Sequence, residues 1–299
     1  MPSPLIATIE AGGTKMVAAL ASGPDDIRAR ERIPTTIPEE TIPALISFLK
    51  SAIANHGQPD ALVIGTFGPA DITPTSPAYG HITATPKPTW ENTNLLGPIQ
   101  EALGVPSLFD TDVNAALFGE ARWGAAAGLK NTGYFTIGTG IGGAVMIDGR
   151  LIHGMGHTEM GHMRIARHPD DSFKGHCPFH QDCLEGLAAG PAIEARWGKP
   201  AQELPADHPA WEIEADALAQ ACLNLLTIAP PERIILGGGV MHQSQLFPMV
   251  RKRLKELLNG YLAHPPLQGD LTNFIVPPSL GDNAGLLGCV ALGHHLLTS

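Results

Sequence analysis

Apolar positions recur with two periods along this chain, and the alternation between them outlines its elements. Residues 5–10 form a short, weakly alternating apolar run, which predicts a central strand. Ala11-Gly12-Gly13-Thr14 follows as a turn and residues 16–20 resume the run, so the chain opens as a β-hairpin on a glycine turn. Over 39–56 the period lengthens, and Ile42, Leu45, Ile46, Leu49 and Ile53 share one helix face. Residues 60–66 read as a buried strand running toward Gly68-Pro69. The stretch 72–90 is rich in Thr, Pro and Gly, with a Thr85-Pro86-Lys87-Pro88 turn before Trp90, and is expected to lie over a cleft. A short strand at 105–109 delivers Asp110-Thr111-Asp112-Val113-Asn114 to a helix over 115–127.

The second half repeats the opening theme. Residues 134–137 are a strand, Gly138-Thr139-Gly140-Ile141-Gly142-Gly143 a glycine turn, and 144–147 a strand. Helices are expected over 188–197 and 214–227, and 246–258 is amphipathic with Lys and Arg outward. A strand at 233–236 runs into Gly237-Gly238-Gly239-Val240. A last helix at 283–297 carries Ala284, Gly285, Gly288 and Ala291, a spacing that permits the tight packing a cross-over between two lobes needs. Two glycine-turn hairpins, each opening one half, predict a duplicated α/β unit whose turns converge on one cleft if the halves face each other. The expected lobes are 1–110, with helix 283–299 packing back onto it, and 111–282.

The turns invite phosphate, but each has a plainer reading. Gly12 and Gly13 allow close backbone approach and expose N–H groups. Gly13-Thr14-Lys15 has the wrong order for a P-loop and enters a strand rather than a helix, so an ordinary hairpin turn competes. The 138–143 glycines approach a dinucleotide fingerprint, yet a strand follows them. Gly237 to Gly239 leave room for a flat ring or ribose, or form a plain loop. Asp112 lies at a strand-to-helix joint, where α/β proteins place reactive groups and where Asp also serves as a simple cap. Trp90 either packs on a sugar or closes the cleft, or else anchors its loop to the core.

The densest chemistry lies from Glu159 to Glu185. His162, Cys177, His180 and Cys183 include a Cys-Pro-Phe-His-Gln-Asp-Cys run, a spacing at which two thiolates and two imidazoles can close on one tetrahedral zinc. The intervening loop has almost no apolar side chains, so a metal clip accounts for its order. His157 and His176 compete for the fourth ligand position, and His162 is favoured because it ends an expected strand. Glu159 and Glu185 flank the set and suggest a mount for gripping a polar ligand.

Composition narrows the partners. At 43% hydrophobic the 299-residue chain can bury two cores. A net charge of −10 without a basic stripe argues against nucleic acid. MPSPLIATIE lacks the features of a signal peptide, and no apolar run is long enough for a bilayer, so the expectation is cytoplasmic. Four cysteines do not suggest a disulfide framework there; Cys222 and Cys289 read as buried bystanders.

These residues resemble those of the ROK sugar kinases, within the actin-like, ribonuclease-H-like ATPases, and more narrowly the bacterial zinc-containing fructokinases. The likeness is carried by Glu10-Ala-Gly-Gly-Thr-Lys15, Thr85-Pro-Lys-Pro88, Thr111-Asp-Val-Asn114, Gly138-Thr-Gly-Ile-Gly-Gly143, Glu159-Met-Gly-His162 and Cys177-Pro-Phe-His-Gln-Asp-Cys-Leu-Glu185. It implies two lobes with a ligand cleft between them, and ATP-dependent phosphorylation of fructose at its 6-hydroxyl with Asp112 as base. It implies ATP phosphates on Gly12, Gly13, Thr14, Lys15, Gly138, Thr139 and Gly140, and adenosine near Gly190, Pro191 and Gly237 to Met241, which includes Gly238, Gly239 and Val240. Glu159, His162 and Glu185 would bind sugar hydroxyls, with Thr111 and Trp90 nearby, and His162 also on Zn²⁺. Glu10 and Thr111 replace the Asp and Asn of many members, which leaves open whether Glu10 meets Mg²⁺ directly. Another hexose, such as glucose, mannose or N-acetylmannosamine, is the alternative substrate. A sugar-responsive regulator is a distant one, since a strand near Leu5 leaves no room for a preceding helix-turn-helix. The resemblance also suggests a homodimer.

Overall fold

The computed structural model describes residues 3–298 apart from Pro86, so part of the Thr85-Pro86-Lys87-Pro88 turn lies outside the described residues. The chain forms two compact units. The first comprises Met1–Ala127, His153–His157 and Asp282–Ser299; the second comprises Gly128–Ile152 and Thr158–Gly281.

In the first unit the elements are β1 (Ile6–Ala11), β2 (Lys15–Gly23), β3 (Asp26–Pro34), α1 (Pro38–His56), β4 (Ala61–Thr66), β5 (His81–Ile82), β6 (Thr93–Asn94), α2 (Leu96–Leu103), β7 (Ser107–Thr111) and α3 (Asp112–Trp123). Its main sheet has the order β3-β2-β1-β4-β7. The hairpin pair β1–β2 is antiparallel, and β4 and β7 join it in parallel. Every residue of β4 is buried, as a strand covered on both faces requires.

The second unit contains β8 (Thr132–Ile137), β9 (Ile141–Ile147), β10 (Arg150–Leu151), α4 (Leu184–Ala188), α5 (Gly190–Trp197), α6 (Ala210–Ile228), β11 (Arg233–Gly237), α7 (Leu246–Leu258) and β12 (Ile275–Val276). Its sheet order, β10-β9-β8-β11-β12, repeats the first, with an antiparallel hairpin and then parallel strands. The chain then returns to the first unit as α8 (Ala284–Leu296).

Several expectations shift. The boundary expected after residue 110 lies instead after Ala127. The reason is α3, which packs along α8 in backbone contact: a Cβ on Gly288 would fall 1.7 Å from the Ala115 carbonyl oxygen. The small residues of 284–291 therefore serve packing within the first unit. The strand expected at 105–109 runs over Ser107–Thr111, and the helix begins at Asp112 rather than 115. The helix expected over 188–197 is two, broken at Ala189, whose backbone is extended. Strand β3 went unread because its inner positions alternate with five charged residues, from Asp26 to Arg32. Cys222 and Cys289 are buried in α6 and α8. Among the described residues no helix is long and apolar enough to cross a membrane.

Candidate active site and metal centre

Several polar groups at the start of α3 are fixed by hydrogen bonds. The Thr111 hydroxyl caps it, accepting from the Asn114 amide at 3.2 Å. Asp112 occupies the first helical position, and its Oδ1 accepts from the Val113 amide at 2.8 Å. A carboxylate there is favoured in its ionised form by the helix dipole. Capping thus falls to Thr111 rather than to Asp112. Behind them Asp110 is buried and accepts from the Thr111 amide and the Asn114 side-chain amide, both at 2.7 Å, and from His153 Nε2 at 2.9 Å.

The glycine turn of the first hairpin is held from β3. Thr35 donates its hydroxyl to the Gly12 carbonyl at 2.8 Å and its amide to Thr14 at 3.0 Å. Gly12 is required, because a Cβ would meet the Lys15 carbonyl at 2.8 Å, whereas nothing approaches Gly13 within 4 Å. Gly13, Thr14 and Lys15 are exposed, as a turn that receives an anion needs. Lys87 donates to the Gly13 and Thr35 carbonyls, fastening the far loop to this turn. Glu10 lies against Gly285, its carboxylate bonded to the Leu286 backbone amide at the start of α8. Burial raises its pKa, against the pull of Arg30 and Lys15.

Trp90 takes the plainer of its two readings, and a ligand-facing role is corrected. Its ring is fully buried, donates Nε1–H to the Thr36 carbonyl at 2.8 Å and meets Phe67 edge-on. It anchors the loop to the core.

The second unit gathers its glycines. The Gly190 amide donates to the Gly138 carbonyl at 2.8 Å, and Val240 lies 3.9 Å from where a Gly190 Cβ would stand. Gly238 has φ +91°, and a Cβ there would lie 2.4 Å from the Ile137 carbonyl oxygen, so only glycine fits. Gly239 is open. Pro191 follows Gly190 in the first turn of α5, and Met241 is buried beside Val240. Thr139 is exposed at the tip of the turn between β8 and β9. Glu185 reaches this turn, accepting from the Ile141 amide at 2.8 Å. A Cβ on Gly140 would fall 2.6 Å from the same carboxylate oxygen.

His162, Cys177, His180 and Cys183 converge, their ligand atoms all within 4.8 Å of one another. His162 Nδ1 lies 3.4 Å from Cys183 Sγ and 3.8 Å from Cys177 Sγ, which is 3.8 Å from His180 Nδ1. Zinc bonds of about 2.3 Å to sulfur and about 2.0–2.1 Å to nitrogen give tetrahedral edges of that size. Burial and the neighbouring Cys177 push the Cys183 thiol up to about 11, a direction that a central cation reverses. His162 ends a short 3-10 turn, Met160–His162, rather than a strand. Its Nε2 lies 4.0 Å from the Glu159 carboxylate.

The surrounding loop has more support than its composition suggested. Arg196 pairs with Asp171 at 3.0 Å, both nearly buried, and stacks over Phe173 at 4.7 Å. Arg164 and Arg167 both pair with Asp182.

Sequence reading missed Lys87, Asp110, Asn114 and His153. Of these Lys87 stood in the Thr85-Pro86-Lys87-Pro88 turn, and Asp110 and Asn114 at the strand-to-helix joint; their long-range pairing leaves no trace.

Comparison with known proteins agrees with this geometry. The ROK family model matches residues 6–295. The fructokinase of Pediococcus pentosaceus is 45% identical over 293 residues, spanning 98% of this chain and 99% of that one. The fructokinase of Zymomonas mobilis is 46% identical over 288 residues, spanning 95% and 94%. A ROK hexokinase structure from Thermus thermophilus matches with a TM-score of 0.78 at 26% identity, covering 96% of this chain and 97% of that one. The matched span takes in both glycine hairpins, the α3 joint, the Cys/His cluster and α8, and the chain belongs to the ROK family, with its actin-like ATPase fold.

Proposed function

We propose that this protein is a fructokinase, transferring the γ-phosphoryl group of ATP to the 6-hydroxyl of D-fructose. The observation that carries the substrate is near full-length identity of 45–46% to two fructokinases, against 26% to a ROK hexokinase.

Asp112 acts as the general base. The O6–Pγ bond forms as the bond from Pγ to the β–γ bridging oxygen breaks, the O6 proton passes to Asp112, and ADP leaves. Such help contributes about 10²–10⁴-fold, and positioning with charge neutralisation supplies much of the rest. In the first unit Gly12, Gly13, Thr14 and Lys15 offer backbone donors and a cation to phosphate. In the second, Gly138, Thr139 and Gly140 do the same, while Gly190, Pro191 and Gly237 to Met241 receive the nucleoside. Mg²⁺ would come with the nucleotide and neutralise phosphate charge, with Glu10 as the carboxylate of the first unit assigned to it. Glu159, His162 and Glu185 bind fructose hydroxyls, with Thr111 beside Asp112.

Zn²⁺ is held by His162, Cys177, His180 and Cys183, a closed ligand set whose office is structural. With Nδ1 toward the thiols, His162 turns Nε2 toward Glu159, 4.0 Å from its carboxylate. We assign the protein to the cytoplasm, where ATP is supplied and thiols stay reduced, and expect a homodimer.

A coupled assay of ATP consumption with fructose, glucose, mannose and N-acetylmannosamine tests the reading. Fructose should give the highest kcat/KM; a clear preference for another hexose overturns the substrate. Asp112→Asn should bind ATP and sugar normally and lose all but about 1% of turnover. Wild-type-like turnover removes Asp112 from its role.

A further inference from the structure

The segment His153–His157 belongs to the first unit, although the residues on either side of it, Ile152 and Thr158, belong to the second. Two histidines pin it. His153 Nε2 lies 2.9 Å from Asp110 Oδ2, and the Ala70 amide donates to His157 Nε2 at 3.1 Å. The first contact reaches the polar joint that carries Asp112.

Asp110 shares its two oxygens among three partners. Oδ1 accepts from the Thr111 amide and from Asn114 Nδ2, and Oδ2 pairs with His153. Asn114, itself buried in the first turn of α3, also approaches His153 Nε2 at 3.4 Å. A buried carboxylate is costly unless paired and hydrogen-bonded. Here the pairing group is an imidazole whose side chain is 42% exposed, so its positive charge is hydrated on one side while it neutralises Asp110 on the other.

We propose that His153 is a positioning residue for phosphoryl transfer: by holding and neutralising Asp110 it fixes the first turn of α3 and keeps Asp112 ionised. The inference rests on the kinase reading above, with Asp112 as base.

The charges around the pair support this assignment. Tyr79, whose hydroxyl accepts from the Phe109 amide, and Cys289 of α8 both feel the Asp110 field. Burial pushes both upward, so neither adds charge near neutrality. Glu10 of β1 and Asp112 of α3 are the other carboxylates acting on Cys289. Among the described residues His153 is therefore the cation that offsets Asp110. The Asp110 hydrogen bond holds His153 above its usual pKa, so it is charged throughout the acidic range in which a carboxylate base titrates. Removing that charge leaves an uncompensated carboxylate two residues from Asp112. Like charge raises a carboxylate's proton affinity, so Asp112 would protonate at higher pH.

Two variants test this, with MgATP and fructose as substrates. His153→Ala removes both hydrogen bond and charge; His153→Gln keeps a donor for Asp110 and removes only the charge. His153→Ala should lower kcat about tenfold or more, with KM for ATP within about twofold. His153→Gln should recover most of kcat near neutral pH. Its acid limb should nevertheless sit about half a pH unit or more above that of the wild type. Thermal melts establish that each variant is folded, and His153→Gln carries the test if His153→Ala is not. A lower melting temperature with unchanged kcat and an unmoved acid limb makes His153 a mere structural pin and overturns the proposal. Inactivity of the wild type on every hexose overturns the kinase reading and this inference with it, whereas an active wild type with unaltered variants overturns this inference alone.

Discussion

Two long, loop-rich stretches, one in each unit, are held in opposite ways. The stretch 70–95 of the first unit is closed by burial: Ile82, Trp90 and Leu95 have no exposed surface. The stretch 158–183 of the second unit offers few such anchors. Its buried side chains are Cys177 and Cys183, clustered with two imidazoles, and Asp171, paired with Arg196. An apolar anchor works through area removed from water and tolerates some repacking. A ligand cluster works through a few directed bonds and fails as a set when one is lost. The first loop should therefore weaken in proportion to what is cut from it, and the second should fail in one step.

The sharpest way to break that contrast is at the cluster. Cys183→Ser, or chelation, should release the metal and expose 164–182 to proteolysis. It should also weaken fructose binding by about 10–100-fold, because His162 and Glu159 lose their mount. Metal content, limited proteolysis and KM for fructose report this. Unchanged activity after verified metal loss would refute a structural role for zinc.

Trp90→Ala is the matching cut in the first loop. It should cost about 3–5 kcal/mol in denaturant unfolding, with metal content intact. Since Lys87 of the same loop bonds to the Gly13 turn, KM for ATP should rise more than KM for fructose.

A third test probes the support beneath the second loop. Glu214 of α6 is buried with both carboxylate oxygens unpartnered among the described residues, and burial pushes its pKa up to about 8 despite nearby Arg196. The folded protein then holds this proton where the unfolded chain releases it. Stability should fall as pH rises from about 4.5 to about 8. Glu214→Gln should flatten that fall and stabilise the protein above pH 8, by on the order of a few kcal/mol. Equal slopes in the two proteins would mean that Glu214 is not the group responsible.

The smallest expected effect is at the start of α3 in the first unit. Thr111→Ala removes the cap of α3 and should cost about 1 kcal/mol, read from the denaturation midpoint.

Much of this contrast could be read from residue order alone. The cluster was legible because its ligands are chemically rare and three lie within seven residues. The glycine turns were legible because they interrupt apolar runs, and Asp112 because it follows a strand and opens a helix. Trp90 was ambiguous, since a tryptophan after a proline-rich turn suits a core or a sugar equally well. Strand β3 was hidden by its charged outer face. Lys87 and His153 were not legible, because each bonds to a group more than 40 residues away.

By itself the sequence determined the local events: where apolar periods begin and stop, which turns demand glycine, and which side chains can ligate a soft cation. These depend on neighbours a few residues apart. Tertiary structure alone decided that α3 belongs with α8, that Trp90 faces inward, and that Asp110 is answered by a histidine from a distant loop. Those outcomes rest on which distant surfaces exclude water together and which buried charges find partners, and such pairing is settled only when the chain closes on itself.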